Sequence, residues 1–418
     1  MTARVDLAAL LQRENEQTEW KERVADVDDV VEVLSAFAND LQNLGGGYVV
    51  CGAREEKDDH GFPRVVPVGL VASRLREIEN TVLARCRERV SPPLSPLVEE
   101  IETDDASRRI LVFVQPATGS AHTFRRKGGG SKHFVRVSRS TVEARNGLLR
   151  DLLVRKGAME PWDRRACHAA TTSDIDLLVL RDTLLRVGIH DPPETFLSDA
   201  ASISAFVPPL LSREPLGGIL RPRHFTLLLF GRDVQRFIPG AVSFFSRYDG
   251  VDRAAPRGDR LELASTLLEQ LRLMLPTVEA EARTLFDKTD AQHPSVTKYP
   301  ARALREAVVN AFAHRDYELV DPLRVVAFQD RVEVSSPGGL PTGGSVEELA
   351  GGTAPPRWRN QTLAWFLARL GYAEAEGQGL RTIQASLKAA GCAPATFVAE
   401  PQRVSCTVWA HPRAVVRG

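Results

Sequence analysis

Apolar positions early in the chain follow a helical rhythm. Val27, Val30, Val31, Leu34, Phe37, Ala38 and Leu41 recur three and four residues apart, which places them on one stripe of an α-helix. A helix over residues 27–43 is predicted, ended by Gly45-Gly46-Gly47. Tyr48-Val49-Val50-Cys51 then reads as a buried strand running to Gly52 and a charged loop over 54–60. A second amphipathic helix is expected over 73–90, broken by Pro92, Pro93 and Pro96, with further strands at 110–114 and 133–137. Residues 1–150 thus read as one α+β domain.

The pattern blurs over 151–295. A helix is predicted over 174–187 and strands at 225–230 and 242–245, with a long helix over 261–286. This stretch reads as a mixed connecting region with a small core of its own. From 296 to 418 the signals sharpen again: a helix over 301–314, strands at 323–328 and 331–334, a Gly/Pro loop over 335–345, then two helices and two strands near 396–398 and 404–409. That order predicts an α/β sandwich.

At about 150 residues per domain, 418 residues suit two or three domains rather than one small module. Hydrophobic residues at 43% and charged residues at 26% exclude wholesale disorder and a membrane-embedded chain. Lys plus Arg and Asp plus Glu both number 54, so any attraction for nucleic acid must be local. The five cysteines form no CxxC pair, which argues against zinc and a disulfide framework. Residues 1–20 hold no apolar run of signal-peptide length, and a cytoplasmic location is expected, with no membrane partner.

Three clusters carry candidate chemistry. In an extended segment Glu19 and Lys21 point to one face, and with Glu14 they offer carboxylates for a divalent ion beside a cation for a phosphate. The same residues also read as a solvated charge run. Arg125, Arg126, Lys127, Lys132, Arg136 and Arg139 crowd the segment around Gly128-Gly129-Gly130, a pattern suited to tracking a phosphate backbone and equally to a solvated hairpin. Glu306, Asn310 and His314, four residues apart, share one helix face. There a carboxylate can orient water while an amide oxygen holds Mg²⁺ on a triphosphate, although a polar stripe is also the ordinary exposed side of a helix.

Glu14-x-Glu16-x-x-Glu19-Trp20-Lys21, Leu34-Ser-Ala-Phe-Ala-Asn39, Gly45-Gly46-Gly47 and the strand from His133 to Thr141 resemble the Schlafen AlbA-like domain of bacterial DNA-binding regulators. The resemblance implies a nucleic-acid-binding fold over 14–150. Schlafen proteins that cleave RNA use two glutamates five positions apart and a later acid. Carried over by position, these are Glu14 and Glu19, with Glu55 or Asp58 as the third and Glu55 preferred; Mg²⁺ or Mn²⁺ would be the ion and Lys21 the helper.

Residues 306–317, Ser335-Ser336-Pro337-Gly338-Gly339, Arg359-Asn360 and Glu376-Gly377-Gln378-Gly379 resemble a GHKL-type ATP-binding domain commonly joined to that first domain. It implies an ATP and Mg²⁺ site made by Glu306, Asn310, His314, Gly338, Gly339, Gly377 and Gly379, with Asn310 on the metal and Glu306 as base. Glycines there let backbone approach phosphates at a helix N-terminus. The function expected is an ATP-binding, nucleic-acid-binding regulator or defence protein that forms a homo-oligomer. Its rivals are a Schlafen-type nuclease gated by ATP and an interaction scaffold with an inactive nucleotide site.

Overall fold

The structure, a computed structural model, describes residues 5–11, 16–57, 63–215, 217–286, 295–341, 344–353, 358–373 and 378–414. The chain divides into two compact units, Met1–Glu160 and Pro161–Gly418. It is a multidomain protein of mixed α+β and α/β character, built on several sheets.

In the first unit, strand Thr18–Lys21 lies parallel to Gly46–Cys51, which pairs antiparallel with Arg108–Pro116. Against this sheet packs helix Val27–Asn39, burying Val30, Val31, Leu34, Phe37 and Ala38. Asp26 caps the helix by accepting from the Asp28 N–H at 2.9 Å. The helix stops four residues short of the predicted end. Asp40 turns into the left-handed region at φ 40°, and its carboxylate accepts from the N–H groups of Leu44 and Gly45. A competing side-chain acceptor thus ends the helix before the glycines do. Gly46 and Gly47 serve packing instead: a Cβ on Gly47 would stand 2.4 Å from the Phe37 ring, and one on Gly46 would meet the Gln115 carbonyl.

Asn39 ties this helix to the second sheet of the unit, whose strands run in the order Ser140–Glu143, Ser131–Val137, Thr123–Arg125, Val90–Ser91. Its amide donates to the carbonyls of His122 (3.0 Å) and Phe134 (2.7 Å) and accepts from the His122 N–H (2.7 Å). The Ala-Phe-Ala-Asn motif is therefore a buried cross-link in this fold.

The second unit is built on a six-stranded sheet in the order Arg257–Leu263, Ser243–Tyr248, Leu323–Ala327, Arg331–Pro337, Arg403–Trp409, Thr396–Glu400. Only the Ser243–Tyr248 and Leu323–Ala327 pairing is parallel. Helices Leu267–Glu279 and Ala301–His314 pack on the sheet, and Gly379–Ala389 packs on the latter. One hydrophobic core runs from Cys167 to Ala410.

Several predicted features differ. Residues 54–57, expected in a charged loop, belong to strand Ala53–Lys57, which pairs with Pro63–Pro67. The region 151–295, expected to have a small core of its own, shares from Cys167 onward the core of the C-terminal part. Residues 225–230, expected as a strand, form helix His224–Phe230, with Phe225 and Leu227 to Phe230 all fully buried. An apolar run enclosed on every side carries no period, so tertiary surroundings decide between helix and strand. The long helix expected over 261–286 is three elements: strand Arg257–Leu263, helix Leu267–Glu279 and strand Thr284–Phe286. Leu261 and Leu263 pair with strand Ser243–Tyr248, and Thr266 starts the helix anew by capping it.

Candidate nucleotide pocket and nucleic-acid face

Helix Ala301–His314 turns Glu306, Asn310 and His314 into one cavity of the second unit. Facing them is Gly379, first residue of helix Gly379–Ala389. A Cβ there would stand 2.8 Å from Glu306 Oε2 and 3.1 Å from Asn310 Nδ2, so any larger residue would push on the ends of these two side chains. Gly377 lies outside the described residues. The rest of the lining is mostly apolar: Leu340, Leu349, Trp358, Leu380, Ile383 and Phe397, with Val334, Ser336, Val404 and Cys406 contributed by two sheet strands. These apolar residues escaped the sequence reading because their pattern is that of ordinary core.

His314 stacks on Trp358 with ring centroids 4.9 Å apart and planes 8° apart. Burial, aided by the Arg359 charge, pushes its pKa down to about 4, so the ring is neutral at pH 7. Burial likewise pushes the Cys406 thiol up to about 12. Gly338 and Gly339 reach the cavity too, yet their missing side chains answer to packing. A Cβ on Gly338, at φ 101°, would meet Asp316 Cβ at 2.6 Å, and one on Gly339 would meet the Pro401 carbonyl at 2.6 Å.

The remaining motif residues hold the rim together. Arg359 bonds Asp316 at 3.1 Å and the Gly339 carbonyl at 2.7 Å. Asn360 precedes helix Gln361–Arg369 without capping it; its amide donates instead to the carbonyls of Ala313 (3.0 Å) and Arg315 (2.8 Å) at the end of the pocket helix. Arg315 is fully buried and donates to the Gly240, Val242 and Asp321 carbonyls.

In the first unit Glu19 and Lys21 do share a face, and they bond each other at 2.8 Å. Glu19 also accepts from Arg136 at 2.8 Å. Arg136, 5% exposed, is held further by Thr141 Oγ1 at 3.2 Å and lies over the Phe37 ring at 5.3 Å. These groups border a polar cleft lined by Glu19, Lys21, Asp29, Glu32, Arg139, Ser140 and Thr141. Glu55 is exposed on the hairpin formed by Ala53–Lys57 and Pro63–Pro67, opposite Val65. Glu14 and Asp58 lie outside the described residues. Among the described residues, no three His, Cys, Asp or Glu side chains converge as a metal-ligand set.

The basic segment is unevenly neutralised. Arg126 bonds Glu32 at 2.8 Å and also Asp29 on helix Val27–Asn39. Lys132 (2.9 Å) and Arg145 (2.6 Å) both hold Glu143, whose pKa their hydrogen bonds lower to about 2. Arg125, Lys127 and Arg139 are exposed, and among the described residues their side chains have no carboxylate partner. The acids of helix Val27–Asn39 that offset the cluster were not read as its partners, because they lie about a hundred residues away in sequence.

Residues 14–145 match the family described as Schlafen, AlbA_2, and residues 321–408 match the family described as Putative ATP-dependent DNA helicase recG C-terminal. Together they define the class: a Schlafen AlbA-like domain joined in one chain to an ATPase-like domain. The second match begins after the helix bearing Glu306, Asn310 and His314. Among solved structures, the DIP2311 protein from Corynebacterium diphtheriae is 18% identical, with 94% of this chain and 75% of that chain covered and a TM-score of 0.44. The N-terminal domain of a Putative ATP-dependent DNA Helicase RecG-related Protein from Nitrosomonas europaea is 24% identical over 27% of this chain and 70% of that chain, with a TM-score of 0.23. No curated protein matches. Among the described residues, no helix is long and apolar enough to cross a membrane.

Proposed function

We propose that this protein is an ATP-binding, nucleic-acid-binding regulator or defence protein in which the nucleotide state of the second unit controls how the first engages DNA or RNA. The observation that carries the reading is the approach of Gly379 to Glu306 and Asn310 inside a mostly apolar cavity. A helix N-terminus suits phosphates, and apolar walls suit a purine. The donor set fits Mg²⁺: the Asn310 amide oxygen is a hard ligand for an ion that keeps its other positions for phosphate oxygens and water. Mg²⁺ would supply charge neutralisation on the phosphates. Glu306 would orient a water, and neutral His314, stacked on Trp358, would shape the wall.

Nucleic acid would meet the first unit at Arg125, Lys127 and Arg139, the cluster members without carboxylate partners. Binding is favoured over cleavage because Glu19 is already shared between Arg136 and Lys21, which lowers its value as a metal ligand. Calorimetry with ATP and Mg²⁺, followed by anisotropy with labelled tRNA, single-stranded DNA and duplex DNA in the presence and absence of nucleotide, tests the reading. Absence of ATP binding, or nucleic-acid affinity indifferent to bound ATP, overturns it. Metal-dependent cleavage of any of these substrates would instead favour the nuclease. Absence of both ATP binding and nucleic-acid binding would favour the scaffold, and the same titrations in a gel-filtration format read whether the chain self-associates.

A further inference from the structure

The second unit opens with a short turn, Trp162–Arg164, and Asp163 within it is fully buried. Its Oδ2 accepts from the Thr362 N–H at 2.8 Å, while Oδ1 has no hydrogen-bond partner among the described residues. Helix Gln361–Arg369 is therefore capped by a residue nearly two hundred positions away, because Asn360, which stands at its start, is committed to the carbonyls ending the pocket helix. Arg164 adds a bond to Thr362 Oγ1 at 3.2 Å. Trp162 stacks on Tyr317 with centroids 5.5 Å apart and planes at 15°. Tyr317 directly follows Asp316, the residue that Arg359 bonds and against which Gly338 is pressed.

Two routes thus join the turn to the cavity wall. One runs from Asp163 through the start of helix Gln361–Arg369 to Arg359 and Trp358; the other runs from Trp162 through Tyr317 and Asp316 to Gly338. Both end on residues of the candidate nucleotide site, and the turn follows Glu160, where the first unit stops. An exchanged cap of this kind couples two segments: Thr362 has its acceptor only while the turn is seated, and the turn is seated only while helix Gln361–Arg369 and the rim keep their positions.

We propose that Asp163 is a positioning residue that transmits occupancy of the nucleotide cavity to residues 161–165, so that filling the cavity tightens the segment leading from the first unit. This rests on the nucleotide-binding reading and deepens it, by assigning the regulation to a named contact. A ligand that orders Trp358, Arg359 and Gly338 lowers the freedom of everything those residues hold, and the cost of seating the turn falls accordingly.

The test is hydrogen exchange followed by mass spectrometry on the full chain, with MgATP at a concentration that calorimetry shows to be saturating. Amide exchange over residues 162–166 and at Thr362 should slow at least about threefold on saturation, a shift well within the range of local opening equilibria. Asp163→Ala should still bind ATP with affinity within about threefold of native, yet lose the nucleotide-dependent slowing over 162–166. Asp163→Asn, which keeps an acceptor for the Thr362 N–H, should restore it; a merely structural role would leave the nucleotide dependence itself unmoved. Saturating ATP with unchanged exchange at 162–166 in the native chain overturns the proposal while leaving the nucleotide site standing, and so does persistence of the slowing in Asp163→Ala. Should Asp163→Ala fail to fold, the native chain and Asp163→Asn decide. Absence of ATP binding overturns both readings together.

Discussion

Arg136 donates to Glu19 across 117 residues of sequence, at 2.8 Å, with the arginine 5% exposed. The pair joins strand Thr18–Lys21 to strand Ser131–Val137, which makes this charge a fastening before it is anything else. Arg136→Ala would leave Glu19 with Lys21 as its remaining cation and open space beside Phe37. We expect a loss of about 3 kcal/mol in urea unfolding, the usual result of removing one partner of a buried pair. Arg125→Ala and Arg139→Ala should each shift stability by less than about 0.5 kcal/mol.

Nucleic-acid affinity should answer to a different subset of the cluster. If Arg125, Lys127 and Arg139 each contact one phosphate, their combined replacement by alanine should reduce the slope of log affinity against log salt on duplex DNA by about 2.7. Arg126→Ala, which frees Asp29 and Glu32 as well, should weaken binding through new local negative charge and not through a lost contact. Anisotropy titrations from low to high salt separate these cases; a slope unchanged in the triple variant would move the interface elsewhere.

Gly379→Ala offers a clean probe of the cavity. The added methyl would lie 2.8 Å from Glu306 Oε2 and 3.1 Å from Asn310 Nδ2, in the space assigned to the nucleotide. ATP affinity should fall more than about tenfold, or about 1.4 kcal/mol. The backbone needs no unusual φ at this position and alanine favours helix, so thermal stability should hold or drop little. Calorimetry and a melting curve on the same preparation read both quantities.

The depressed pKa of His314, about 4 against an ordinary 6.5, has a definite sign. Between those values the unfolded chain holds a proton on this ring that the folded chain refuses. Stability from this group is thus complete above pH 6.5 and lost as pH falls toward 4. His314→Phe keeps a ring against Trp358 and should flatten that part of the stability profile, measured by urea unfolding at pH 7, 5.5 and 4.5.

Asn39 makes three buried hydrogen bonds to backbone groups. Asn39→Ala removes the amide partner of the Phe134 carbonyl and of the His122 N–H, at a cost of about 1 to 3 kcal/mol for each buried group left unsatisfied, while the His122 carbonyl keeps the His133 ring nitrogen 3.0 Å away. The outcome expected is loss of cooperative unfolding in the first unit, read by thermal denaturation, while ATP binding in the second unit persists.

Much of the architecture follows from local pattern. The heptad-like spacing from Val27 to Ala38 yields a helix because one apolar stripe can be buried, and residues 301–314 fold as read for the same reason. The polar stripe Glu306, Asn310, His314 shares one face as helical spacing requires, and the fold sets that face against a cavity. What tertiary structure alone decided are choices between neighbours distant in sequence. The apolar run 225–230 became helix because it is enclosed on all sides. Of the basic residues, Arg136 and Arg126 were drawn onto Glu19, Asp29 and Glu32 while Arg125, Lys127 and Arg139 were left to solvent, since ion pairing depends on distances that folding sets and no local pattern encodes. The cap on helix Gln361–Arg369 came from Asp163 for the same reason: a buried N–H takes whichever acceptor the fold brings within reach.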